Sequence, residues 1–581
     1  MDNISAGKKR PQSFLQGSVI LFVATALVKI IGAIYRIPLG NLMDDAGVGM
    51  GYYSVAYDLY LPIYSLAMAG LPIAISRMVA ESVASGRFKD VEKTLIITRR
   101  AFWVTGTAAF VLMCALAYPF ALYTKSVDAL PSILCIVPSL IFCCIMSTYR
   151  GYYEGLRNMY PTAYSSVLEA LGKLIIGYGL AYVVITYTGN LKYGAAAALL
   201  GVTLGTAIGA LYLVIKYRRH PAVWTNEQWL ASPEARTGKE TLKILIAIAV
   251  PVVLGSMVTY ITGFIDVVMV KSQLAKVISG NMGYIANKYP DLVNNCIKQV
   301  AKDGKIAVSA VDYNDGKVLE SISTALYGCY KGYAYSIYNL IPVLTSVLGV
   351  SALPVLATSW TQKDKTGTKK NIESMLRTTA LIALPAGVGI AVLAKQILSL
   401  LYVGKSTVIG VATPLLTVLG LAAAFAGISI PITNMLQAIG KQKIPVRNIA
   451  IGAVLKIIIN YCLVGNYKIN IMGAPVGTLC CYVFIAVANF ICLIKYSGVM
   501  PNLISTLVKP IVATAFCGVI AYLAVNYILG GMMGTLLAIV AAVLVYIIAL
   551  ALLKAIEKDD VLSLPKGEKI AIILEKFGII R

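Results

Sequence analysis

A chain of 581 residues that is 58% hydrophobic and only 13% charged is too apolar for a soluble globular protein, whose shares are about 45–50% and about 25%. It belongs in a bilayer. The net charge of +24 would suit a nucleic-acid partner, but its placement along the chain excludes that reading.

Apolar runs long enough to cross a hydrocarbon core of ~30 Å begin near Phe14, Tyr53, Leu95, Ser132, Ala163, Tyr193, Leu242, Tyr330, Leu376, Ile409, Val446, Ala474, Leu503 and Gly534. They predict an all-α integral membrane protein of about fourteen transmembrane helices at roughly twenty residues each. The first run is too long for a cleaved signal peptide, and no small-residue cleavage site precedes a soluble domain. With the amino terminus inside, most lysines and arginines fall in inside loops and tails. The short outside loops together hold Lys125, Lys192, Lys405 and Lys468. That bias is the positive-inside rule, so both termini are expected in the cytoplasm and the basicity serves topology and attraction to membrane lipids.

The chain also repeats itself. Glu154 to Lys173 and Gln437 to Lys456 match at one offset, 437 − 154 = 456 − 173 = 283. Leu71-Pro72 matches Leu353-Pro354, and Gly32-Ala33-Ile34 resembles Gly263-Phe264-Ile265 (263 − 32 = 231). Each copy runs from apolar span to basic loop, so the halves share one orientation, as in transporters built from parallel repeats. The expected organisation is two parallel-repeat six-helix lobes plus two extra C-terminal helices. An N-lobe covers 1–217, a cytoplasmic linker 218–241, a C-lobe 242–497, helices thirteen and fourteen 498–555, and a cytoplasmic tail 556–581.

The jump in offset places some fifty extra residues in an extracytoplasmic insertion, 271–331. Asn281, Asp291, Asn294, Asn295, Asp303, Asp312, Asn314, Asp315 and Gly316 supply turn signals there, which suits a partly ordered decoration or a lid. Cys296 and Cys329 flank it, and spacing leaves open both a disulfide and two free thiols. The other cysteines lie in spans, where they act as small apolar residues. In the tail, Ile570, Ile573, Leu574 and Phe577 recur at helical spacing, as in an amphipathic helix on the inner membrane surface.

Ionisable residues inside spans are costly and usually face a cavity or a partner. Lys29 and Arg36 share a face of the first helix, about 10 Å apart. Lys29 is too deep to snorkel easily, whereas Arg36 is near enough to the helix end to do so. Asp58 lies on the second helix, Asp266 on the seventh and Lys456 on the eleventh. Glu169 and Lys173, at i and i+4 on the fifth, either neutralise each other or face the cavity. Lys29, Arg36, Arg77, Lys173 and Lys456 are the candidate substrate-binding residues, with Asp58, Glu169 and Asp266 as ion sites or charge partners. Prolines within the spans, such as Pro62, Pro251 and Pro431, suit helices that move.

His220 is the only histidine, and neither CxxC nor HxxxH spacing occurs. A zinc site and a histidine-based triad are therefore excluded, and without GxxxxGK[ST] no P-loop binds ATP. The reading is a protein that is not an enzyme and holds neither catalytic residues nor cofactor nor metal. It would be driven by a coupling cation (Na+ or H+) or by the membrane potential.

The stretches KIIGAIYRIPLGNLMDDAGVGMGYY (29–53), GLPIAISRMVAE (70–81) and YRGYYEGLRNMYPTAYSSVLEA (149–170) resemble the polysaccharide-export and MurJ-like lipid II flippases of the MOP superfamily, including the stage V sporulation protein B group. The same superfamily contains the MATE exporters. The resemblance implies a monomeric flippase of the bacterial plasma membrane, moving undecaprenyl-pyrophosphate-linked sugars from inner to outer leaflet by alternating access. Cavity cations would hold the pyrophosphate, and Lys29 and Arg36 lie where the family places first-helix cations. Its cluster of second-helix arginines has no counterpart, since Leu59 to Ala74 contains none and Arg77 lies further on. The leading expectation is a flippase for a lipid-linked oligosaccharide, lipid II foremost, in peptidoglycan or other wall synthesis. A MATE-like cation-coupled exporter of small molecules is the alternative. A membrane scaffold, for which cavity charges would be dispensable, is the third.

Overall fold

A chain in lipid must satisfy its backbone groups internally, and all regular secondary structure here is helical. The computed structural model describes residues 14–68, 71–219, 224–525, 531–555 and 557, with no strand among them. In order come α1 (Phe14–Leu42), α2 (Val48–Met68), α3 (Leu71–Ala84), α4 (Phe88–Tyr123), α5 (Leu130–Ile136), α6 (Ser139–Gly155), α7 (Tyr160–Gly172), α8 (Tyr178–Thr188), α9 (Leu191–Arg219), α10 (Asn226–Ala231) and α11 (Gly238–Ile265). Then follow α12 (Lys271–Gly280), α13 (Met282–Lys288), α14 (Pro290–Gly304), α15 (Gly316–Tyr327), α16 (Tyr335–Tyr338), α17 (Leu340–Thr361) and α18 (Lys365–Val392). The last are α19 (Ala394–Leu401), α20 (Ser406–Ala438), α21 (Lys443–Val464), α22 (Gly473–Ser497), α23 (Lys509–Leu523) and α24 (Gly531–Leu552).

Eleven helical stretches among the described residues are long and apolar enough to cross a membrane, so this is a multi-pass membrane protein. The expected span near Tyr53 runs into residues outside the described ones and the amphipathic tail helix lies outside them, whereas the spans expected near Leu242 and Tyr330 fall on α11 and on the helical run into α17. The chain forms two compact units, one of Met1–Tyr35 and Val55–Phe264, the other of Arg36–Ser54 and Ile265–Arg581.

In the first unit, Gly201, Gly205 and Gly209 line one stripe of α9. A side chain at Gly201 would run into the backbone of Gly177, and a Cβ at Gly205 would lie 2.7 Å from Glu169 O and 2.8 Å from Lys173 N. Small residues at every fourth position let two membrane helices touch backbone to backbone. In the second unit α20 is central, against α17, α18 and α22, over a core including Leu356, Leu376, Ile432, Leu436 and Leu493. The turn after α1 belongs to this unit. Asp44 accepts from Ala46, Val48 and Gly49 N–H (3.0, 3.0 and 2.9 Å) at the start of α2, and Asp45 from Thr407 and Val408 N–H (3.3 and 3.4 Å) at the start of α20.

Two pairs of turns share one hydrogen-bond form, the second pair at the repeat offset (440 − 157 = 283) and the first at 363 − 86 = 277. After α3, Gly86 N–H donates to Val83 O (3.2 Å) and Arg87 N–H to Ser82 O (2.8 Å). After α17, Lys363 N–H donates to Trp360 O (3.1 Å) and Asp364 N–H to Ser359 O (3.0 Å). The turn after α6, through Arg157, is likewise repeated after α20 through Gly440. Glycine in one copy answers a basic residue in the other, at φ +69° and +56° in the first pair, +77° and +56° in the second.

The insertion departs from expectation. Asn281 separates α12 from α13, and Asp312, Asn314 and Asp315 form the turn before α15, but Asp291, Asn294, Asn295 and Asp303 lie on α14, whose other face buries Leu292, Val293 and Ile297. It is a helical subdomain. Cys296 and Cys329 are buried free thiols, so the disulfide alternative is not formed.

Lys271 lies 271 − 242 = 29 residues beyond Leu242, about 43 Å of helix, which takes it past a hydrocarbon core of ~30 Å. It is fully buried, and its Nζ donates to Ser323 Oγ (2.8 Å) and Thr324 Oγ1 (2.6 Å). Burial pushes its amine down to about 7, against the pull of Glu320. The folded protein therefore binds fewer protons than the unfolded chain between about pH 7 and 10.5, and stability should rise with pH across that window. Below it the cost of the buried charge is full. Lys271→Met should abolish that rise and leave the protein as stable or more so at pH 6, by up to about 4 kcal/mol. Unfolding followed at pH 6, 8 and 10 checks this, and a parallel pH dependence in both proteins would refute it.

Candidate functional site

Three charged residues sit where helices depart from regular winding. Lys173 opens a π-helical segment (Lys173–Gly177), Asp266 opens another (Asp266–Val270), and Lys331 lies inside a third (Gly328–Ala334). A π turn accommodates an extra residue and shifts the face that follows, and such turns concentrate at functional sites.

In the first unit, Lys173 Nζ lies 5.2 Å from the ring centroids of both Tyr35 and Tyr57, within cation–π range. Tyr35 is fully buried, its hydroxyl donating to Ala198 O (3.2 Å). Glu169 pairs with Arg150, Nη2 to Oε2 at 3.0 Å, and Arg150 Nε donates to Ser165 Oγ at 3.0 Å. That partner differs from the i, i+4 one expected, because Arg150 on α6 reaches across to α7. The glycine stripe of α9 fixes this helix at Lys173 itself. Lys29 and Asp58 are half-buried, and Arg77 is exposed in a surface pair with Glu81 at 2.8 Å.

In the second unit, Asp266 is completely buried and takes both Lys331 Nζ and Lys456 Nζ at 2.8 Å. Asn460 Nδ2 (3.2 Å) and the Tyr330 hydroxyl (3.4 Å) also donate to it. Lys331 Nζ stands 4.1 Å from the Tyr335 ring centroid. The sequence reading set Lys331 at the edge of the insertion, but it is buried beside the seventh helix's acid. Arg36 donates to Ser336 Oγ (2.8 Å) and faces the Tyr53 ring at 6.0 Å, so it is held by protein groups rather than reaching for headgroups. Among the described residues no three His, Cys, Asp or Glu side chains gather as metal ligands would.

The repeat puts these clusters in register. Extending the Gly32 to Gly263 match by three residues aligns Tyr35 with Asp266 (266 − 35 = 231), and Lys173 aligns with Lys456. Each half thus packs its fifth-helix lysine on the same point of its first helix. In one copy the contact is an ion pair at 2.8 Å, and in the other it is a ring at 5.2 Å. Reasoning from single charges missed Arg150, Lys331 and the two tyrosines. Carrying the repeat alignment through position 35 would have found the last contact.

The polysaccharide biosynthesis protein family matches residues 14–360, and MatE matches 331–462. Stage V sporulation protein B of Bacillus subtilis (strain 168) is 25% identical over 570 residues, 95% of this chain and 98% of its own. Lipid II flippase MurJ of the same organism is 22% identical, with 89% of each chain covered. A solved structure of lipid II flippase MurJ in an inward closed conformation superposes with a TM-score of 0.62 at 16% identity, over 92% of this chain and 98% of that one. The fold is of that kind, and these relatives are not enzymes.

Proposed function

Because the chain belongs to the polysaccharide biosynthesis protein family, we propose that it is a flippase carrying an undecaprenyl-pyrophosphate-linked sugar, lipid II foremost, from inner to outer leaflet by alternating access. The observation that supports this most is the asymmetry of the repeat. Lys456 meets the Asp266 carboxylate at 2.8 Å, whereas at the position corresponding to Asp266 the first unit has Tyr35, whose ring lies 5.2 Å from the Lys173 ammonium. A pyrophosphate brings about two negative charges into a partly dehydrated site, which would cost several kcal/mol or more unpaired. Lys173 and Lys29, both of the first unit, offset that cost. Asp266 acts as a charge partner, since two ammonium groups already occupy it, and the membrane potential is the driving force this arrangement favours. The protein works as a monomer in the plasma membrane with both termini in the cytoplasm.

Depleting the protein and measuring which lipid-linked precursor accumulates on the inner leaflet tests the reading. Accumulation of lipid II or a related pyrophosphate-linked sugar is the expected result. The MatE match over 331–462 supplies the competing reading. Unchanged precursor pools together with slower cation-coupled efflux of a small molecule would establish it instead.

A further inference from the structure

Where α17 gives way to α18, the second unit has a cavity of about 510 Å³ lined by Trp360, Thr361, Lys363, Lys365, Thr368 and Ser497. A cavity of that size suits a small ligand or headgroup. It stands at the end of an apolar helix, with Trp360 at the level where tryptophan marks a membrane interface. Its acid, Asp364, is engaged as the cap of α18, accepting from Gly367 N–H at 2.9 Å.

Lys363 is the telling residue. It holds a left-handed conformation (φ +56°), which disfavours any side chain relative to glycine. The matching turn of the first unit uses Gly86 there with the same hydrogen bonds, so the turn itself does not require lysine. Basic residues also occupy left-handed positions at Lys125, Arg157, Lys305 and Lys554, each after a helix, where a cation meets the carbonyl end favourably. Lys363 differs in lining, with Lys365 two residues on, a cavity that also carries the Thr368 and Ser497 hydroxyls.

We infer that this cavity binds the phosphate headgroup of an anionic glycerophospholipid. The ammonium groups of Lys363 and Lys365 meet the phosphodiester, the Thr368 and Ser497 hydroxyls supply hydrogen bonds, and Trp360 packs along the glycerol.

The full-length protein, purified in detergent, is titrated with phosphatidylglycerol or phosphatidylcholine, and bound lipid is counted by native mass spectrometry. The native protein should retain phosphatidylglycerol selectively, and Lys363→Gly with Lys365→Gln should weaken that binding by about tenfold or more. Lys363→Gly should leave melting without lipid unchanged or raised, as glycine relaxes the turn. Should the pair of changes lower melting, Lys365→Gln alone must still weaken binding. Arg218→Gln with Arg219→Gln, an exposed charge-matched control on α9, should bind as the native protein does. Equal binding of both lipids, undiminished binding by the double variant, or equal loss in the control would overturn the proposal. So would displacement by inorganic phosphate at the lipid's concentration, which would make the occupant a soluble anion.

Discussion

Asp266→Asn should destabilise the protein by about 3–5 kcal/mol, the usual cost of leaving buried charge uncompensated. The carboxylate is the shared partner of Lys331 and Lys456 at 2.8 Å each, and all three groups are at most 4% exposed. An amide would leave two ammonium groups a few ångströms apart in a medium of low dielectric constant. Neutralising all three, with Lys331→Met and Lys456→Met added, should recover most of the loss, because well-packed apolar side chains often replace buried ion clusters at little cost. Unfolding of purified protein in detergent measures both. Melting of the single variant at the native temperature would show that the triad does not hold the second unit together.

Lys173→Gln should leave folding intact and slow flipping of the lipid-linked precursor by about ten- to a hundredfold, as loss of a charge-assisted contact of about 1.5–3 kcal/mol implies. Lys173→Arg should restore part of the rate. Lys29→Gln should act in the same direction, with Lys29→Arg better tolerated. Arg36→Gln should impair both rate and stability, since Arg36 also binds Ser336 and faces Tyr53. The assay is transfer of labelled precursor in proteoliposomes at matched protein levels. A Lys29→Gln/Lys173→Gln variant working at the normal rate would sink the cationic mechanism and favour the small-molecule exporter.

The helical class was legible in the chain because it depends on a local signal, apolar run length. The candidate charges were legible too, since an ionisable residue in an apolar run stands out whatever its surroundings. Their partners were not. Glu169 meets Arg150 across a helix pair, and Lys331 reaches Asp266 from 65 residues away (331 − 266 = 65), distances over which periodicity carries no information. The insertion misled for a different reason. Asn and Asp are turn formers in isolation, but on α14 they occupy the wet face of an amphipathic helix whose other face is buried.

The adjacent acids Asp44 and Asp45 fasten two helix starts that the ribosome makes far apart in time. Asp45 meets Ser406 and its neighbours 361 residues downstream, so at about 5–20 residues per second the turn waits roughly 20–70 s for its partner. Ser336, Tyr333 and Cys329, which meet Arg36, Gly40 and Ala46, emerge earlier, but until α20 follows the turn lacks its Asp45 contacts and must be tolerated in the membrane unfinished. Assembly of the second unit is therefore necessarily late, and a chain truncated before position 406 would lack the contacts that settle its own beginning.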